Sequence, residues 1–214
     1  MNKVKFSKEL NLQISTPKVR VIWANLHQPN TKFDADGVYD VTVVMTAEQM
    51  KPIKDRIDGM LKTAEAEYKA TYKKKPNIAS SHPCVPEVDK LTGEETGNWL
   101  LKVKLKSVTV VNGSPTKRRP VVVDSQLKPM GASTPVGKGS TVCVNFNVYP
   151  YYVPALGLGA SAKLVAVQVI KCEAFAGAND PLKGFSKEDG FVSEDVAIGD
   201  TGSEGTQVDP DADF

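Results

Sequence analysis

Histidine and cysteine are scarce in this sequence, at two and three in 214 residues. The cysteines, Cys84, Cys143 and Cys172, are odd in number, widely separated and form no CxxC pair. That argues against both a zinc site and a disulfide framework. Cys143 and Cys172 lie in apolar runs and are expected to be buried as small hydrophobes. With only His27 and His82, both in segments that read as loops, no Ser-His-Asp set can be assembled. Neither a Gly-x-Gly-x-x-Gly nor a Walker motif is present, and Gly157-Leu158-Gly159 lacks the strand-to-helix setting of a phosphate cradle. Asp34-Ala35-Asp36 resembles a fragment of a metal loop without its remainder and reads as a turn. No catalytic residue, metal or cofactor is therefore expected, and the chain is expected not to be an enzyme. No apolar run approaches the roughly 18 residues of a membrane span. Met1-Asn2-Lys3-Val4-Lys5 lacks the apolar core of a secretion signal. A cytoplasmic protein is expected.

What the chain does have is segregated charge. Residues 1–175 hold 25 Lys and Arg against 15 Asp and Glu, whereas residues 176–214 hold 2 against 10. A basic body with an acidic tail points to a polyanionic ligand. With 41% apolar residues the body can build a sizeable core.

Periodicity gives a mainly β body. Val19, Val21 and Trp23 alternate with polar or intervening residues as a strand, and Gly37–Met45 forms a second, rich in β-branched residues. Asn25 to Gly37 reads as a loop. Thr46 and Gln49 fit a capping box, and Ile57, Met60, Leu61, Ala64 and Tyr68 share one helical face, with Pro52 expected to restart or kink the helix. Lys73 to Asn98 reads as a long irregular stretch. Trp99 to Val111 resumes as a strand in which Leu101, Val103 and Leu105 oppose Lys102, Lys104 and Lys106. Its apolar phase flips at Val108 and Val110, which suggests a bulge near Ser107. Asn112-Gly113 marks a hairpin. Strands follow at Pro120–Ser125, at Thr141–Tyr149 and from Gly159 to Phe175. The simplest closure is an OB-fold-like antiparallel β-barrel with one inserted α-helix, spanning residues 1–175. Residues 176–214 have lost periodicity and are expected to form a disordered acidic tail.

Binding signals are stronger than catalytic ones. Tyr149-Pro150-Tyr151-Tyr152 puts three phenols at a strand end, where bases could stack at roughly 1–3 kcal/mol each irrespective of sequence. The competing assignment makes Tyr149 a barrel cap and leaves Tyr151 and Tyr152 in a loop. Lys102, Lys104, Lys106 and the Lys117-Arg118-Arg119 cluster, with Lys128 and Lys163, could form a phosphate path, against the alternative of an ordinary solvated face. Trp23 and Trp99 share parity with apolar neighbours and are assigned to the core, while Phe33 lies in a polar loop where stacking is open to it. In the tail, Asp209, Asp211, Asp213 and the terminal Phe214 combine charges with a ring and could mimic DNA, the competing role being solubilisation.

Val121-Val122-Val123-Asp124-Ser125-Gln126-Leu127-Lys128-Pro129-Met130, and Val148-Tyr149-Pro150-Tyr151-Tyr152 running on to Gly159-Ala160-Ser161-Ala162-Lys163-Leu164, resemble the single-stranded DNA-binding proteins of tailed bacteriophages. The likeness is specific over residues 120–171 and looser before, with the Gly37–Val43 strand and the Asp213-Phe214 terminus in keeping. It implies an OB-fold that coats single-stranded DNA during phage replication and recombination, and that anneals complementary strands. It also implies a tail that contacts DNA polymerase and helicase–primase, in the host cell cytoplasm. Some relatives carry a tryptophan after the tyrosine motif. Val153 takes that place here, which leaves the number of stacking rings open, and this tail is more dilute in charge, which implies weaker competition with DNA. Homodimerisation is left open. The alternative functional reading is a protein-binding adaptor or virion-assembly module engaging a basic partner, and a third is a β-barrel enzyme acting on nucleotides.

Overall fold

The computed structural model describes residues 4–32, 34–111, 113–131 and 134–173. In chain order the elements are a 3-10 turn at Lys8–Leu10, β1 (Leu12–Ser15), β2 (Val19–Asn30), β3 (Val38–Thr46), α1 (Ala47–Tyr72), β4 (Cys84–Val88) and β5 (Glu95–Lys106). β6 (Val108–Val111), β7 (Ser114–Lys117), β8 (Val121–Val123), β9 (Thr141–Val153) and β10 (Gly157–Lys171) follow.

Five strands close into a barrel in the order β9-β2-β3-β5-β10, and β10 returns to β9. Its interior is what the period-two pattern demands. Val142, Val144, Phe146 and Val148 of β9 are all fully buried, as are Val41 and Val43 of β3 and Leu101 and Val103 of β5. Alternate residues of the same strands face outward. One pairing departs from an all-antiparallel barrel: β10 runs parallel to β5, with Lys163 beside Lys104. The fold is the expected mainly β, OB-like barrel, with a single α-helix among the described residues.

That helix is capped as the sequence predicts. The Gln49 amide donates to Thr46 Oγ1 at 3.3 Å and the Thr46 amide donates to Gln49 Oε1 at 3.2 Å. Met50, Ile53, Ile57, Met60, Ala64 and Tyr68 are buried on one stripe. α1 runs unbroken through Pro52, against the expected restart. Pro52 lies in the second turn and forfeits the bond to the Glu48 carbonyl, and the helix continues past it.

Other expectations are corrected. The stretch from Lys73 to Asn98 contains β4 and the start of β5, paired antiparallel and joined by a turn in which Asp89 Oδ1 accepts from the amides of Leu91 and Thr92. β2 continues to Asn30, so His27 lies on a strand. There is no bulge at Ser107. β5 ends at Lys106, the buried Ser107 hydroxyl donates to the Asp36 carbonyl, and β6 and β7 form a separate two-stranded ribbon whose Val110 and Val111 are exposed. One of several register shifts lies in β2, where Val21 faces Val43 but Trp23 faces Thr42. That one-residue slip reverses parity and turns Trp23 outward, 47% exposed, rather than into the core. Trp99 does pack against the core. Cys84 is the buried thiol, and burial pushes it up to about 12. Cys143 is half-buried and Cys172 exposed, because Cys143 takes an outward position of β9 and Cys172 follows the end of β10.

Candidate nucleic-acid interface

The outer face of the barrel is built by the residues that alternation excludes from the core. On β5 these are Lys102, Lys104 and Lys106, all exposed between buried Leu101, Val103 and Leu105. On β9 they include Tyr149 and Tyr151, and on β10 Ser161 and Lys163 stand opposite Tyr149 and Asn147. These strands enclose a groove of about 580 Å³. Lys102, Lys104, Lys106, Arg118, Lys163, Tyr149 and Tyr151 all line it. Among the described residues, no carboxylate does.

The placement of charge is costly to the fold. Lys104 and Lys163 are direct cross-strand partners, and like charges so placed destabilise a sheet. Burial first, and the Arg118 guanidinium second, hold the Lys163 ammonium below the usual lysine range. A groove that keeps Lys102, Lys104, Lys163 and Arg118 together without a lining acid is suited to an anion supplied from outside. Lys106 differs, since its Nζ donates to Asp34 Oδ2 at 2.9 Å, which raises the lysine and lowers the carboxyl.

The aromatics divide. Tyr149 is 37% exposed at the groove wall. Tyr151 lies opposite Gly159, and its phenol end is seated over that glycine: a Cβ there would come within 2.6 Å of the hydroxyl. The hydroxyl also pairs with Ser81 Oγ at 3.2 Å. Tyr152, the next residue on the strand, points the other way. Its ring meets Tyr68 of α1 at 4.6 Å, and the Tyr68 pKa is raised, first by hydrogen bonding with Tyr152. Arg119 and Lys128 are exposed but lie outside the groove. Asp209, Asp211, Asp213 and Phe214, like Phe33, lie outside the described residues.

Sequence reasoning missed Ser81, His82, Thr109 and Ser161 on the groove wall. The small-residue run Gly159-Ala160-Ser161-Ala162 was the available signal. It faces Tyr149 to Tyr151 across the sheet, and at Gly159 the missing side chain makes room for the Tyr151 ring. Among the described residues, no group of three or more His, Cys, Asp or Glu side chains could hold a metal ion, and no helix is long and apolar enough to cross a membrane.

A closed five-stranded barrel carrying a cationic, tyrosine-walled groove on its outer face defines an oligonucleotide-binding type of barrel. The family described as Enterobacter phage Enc34, ssDNA-binding protein, matches residues 12–197, and the chain belongs to that family. The fold is similar to that of gp2.5, a single-stranded DNA-binding protein encoded by bacteriophage T7. The TM-score is 0.62 at 22% identity, over 86% of this chain and 100% of the other. It is also similar to the single-stranded DNA-binding protein from bacteriophage Enc34 in complex with ssDNA. There the TM-score is 0.55 at 17% identity, over 79% of this chain and 91% of the other. No curated protein sequence matches the chain.

Proposed function

We propose that this protein binds and coats single-stranded DNA with little sequence preference during phage DNA replication, recombination and strand annealing. The observation that carries this reading is the acid-free groove in which Lys102, Lys104, Lys163 and Arg118 meet Tyr149 and Tyr151. The cations neutralise phosphates along a path, and the rings take base faces, which every nucleotide offers. Lys106 joins the path once Asp34 releases it. Tyr152 serves the packing of α1 rather than the ligand. Membership of a family of single-stranded DNA-binding proteins supports the same reading.

The body, residues 1–175, forms the binding domain, and residues 176–214 form an acidic tail that competes with DNA for the groove and recruits replication proteins such as polymerase and helicase–primase. Its net charge is opposite to that of the body. An electrophoretic shift with short oligo-dT tests binding, and a retained free oligonucleotide at saturating protein refutes it. Deleting residues 195–214 is expected to raise affinity for single strands and to abolish capture of the polymerase. Unchanged or weaker affinity refutes the competition.

A further inference from the structure

Trp23 is a large exposed side chain that the groove does not explain. The β2 bulge turns its indole outward, where it is 47% exposed and offers a flat aromatic face to solvent. The register places it with the groove residues. Trp23 faces Thr42, and Thr42 faces Lys102 on the next strand. Lys104 pairs with Lys163, so two residues back along those parallel strands stand Lys102 and Ser161, and Ser161 faces Tyr149. Trp23, Lys102 and Tyr149 therefore occupy one row across the outer sheet. Adjacent strands are about 4.8 Å apart, so the indole stands on the order of 10 Å from the β5 lysines along that row.

Around Trp23 lies a second groove of about 510 Å³, and it shares Val38 and Lys104 with the first. Its chemistry differs. Asp34 and Asp40 line it, and both are engaged: Asp40 Oδ1 accepts from Asn25 Nδ2 at 2.7 Å and Asp34 from Lys106. Carboxylates repel a phosphate but tolerate the polar edge of a base, while the indole offers a flat face. Lys104, on the wall common to both grooves, is placed to hold the phosphate that links them.

We propose that Trp23 forms a second base-binding pocket, in which the strand leaving the tyrosine groove crosses Lys104 and stacks a nucleobase on the indole. This rests on the single-strand reading above and extends the footprint to β2 and β3. The test uses the full chain and oligonucleotides of increasing length. Trp23→Ala is expected to weaken long oligonucleotides by about 5- to 150-fold, the range of one stacked base, and to leave the shortest bound ones unchanged. Trp23→Phe is expected to restore most of the loss, and to diminish the ligand-induced quenching of tryptophan fluorescence expected of the parent, in which Trp99 is the other tryptophan. If Trp23→Ala binds every length as the parent does, while Tyr149→Ala weakens all of them, the second pocket is refuted and the first groove stands. If no oligonucleotide binds the parent, both readings fall.

Discussion

Substituting Gly159 by alanine should separate binding from stability. The glycine is required for space, because its added Cβ would lie 2.6 Å from the Tyr151 hydroxyl oxygen, 2.7 Å from Cζ and 3.0 Å from Ala79 Cβ. Ordinary contact needs close to 1 Å more, and a rigid phenol can yield only by swinging out of its seat. That swing breaks the hydrogen bond to Ser81, which is worth about 0.5–1.5 kcal/mol. Replacing glycine by alanine returns about 0.4–1 kcal/mol through the unfolded chain. The two nearly cancel, so Tm is expected to move by less than about 4 °C. Affinity has no such compensation. A displaced platform should cost at least about fivefold in Kd for oligo-dT, the lower bound for one stacked base, with Tyr151→Ala setting the ceiling. Fluorescence titration and thermal melting of the same sample measure both. Native-like melting with affinity within about twofold of the parent, below the stacking range, refutes the role given to Tyr151.

Asp34→Asn should tighten binding and steepen the salt dependence by about 0.7, one additional phosphate. It releases Lys106 while keeping the acceptor for the Asp36 amide, and isothermal titration at several salt concentrations reads both. The Lys163 pKa is depressed in the folded protein, so the unfolded chain holds that proton more tightly. Stability should rise with pH between the depressed and the ordinary lysine values, while affinity falls as Lys163 loses its charge. Lys163→Arg, which stays charged, should flatten the affinity profile over the same interval. Phe146→Ala empties the centre of the barrel, where the ring is fully buried, and should cost about 3–5 kcal/mol in urea unfolding.

Much of this was legible in the sequence because it followed one rule at a time. β3, β9 and the stripe of α1 obey simple periodicities, and the capping box marks the helix start by its own chemistry. The lysines of β5 declared their face by alternating with Leu101, Val103 and Leu105. What was missed needed tertiary information. β4 was hidden by Pro83 and Pro86. β4 pairs with β5 alone, and proline is tolerated on such an edge. Trp23 was misplaced because a bulge of one residue inverts every later parity. Arg119 was grouped with Arg118 by closeness in the chain, whereas the groove selects by position: Arg118 lines it and its neighbour does not, nor does Lys128, which was added with Lys163 as a further cation. Tyr152 shows the same point from within a strand, since neighbours on β9 face opposite sides and only Tyr149 and Tyr151 share the groove.

The central claim is that the outer groove neutralises phosphates with a small, countable set of cations. The most direct measurement is the equilibrium constant for a short oligo-dT as a function of salt, with Lys102, Lys104, Lys163 and Arg118 replaced one at a time. The account predicts a log–log slope of about −3 or steeper for the parent, with each replacement making it shallower by about 0.7. A parent slope near zero, or slopes indifferent to these four residues while changes at Arg119 or Lys128 alter them, would contradict it.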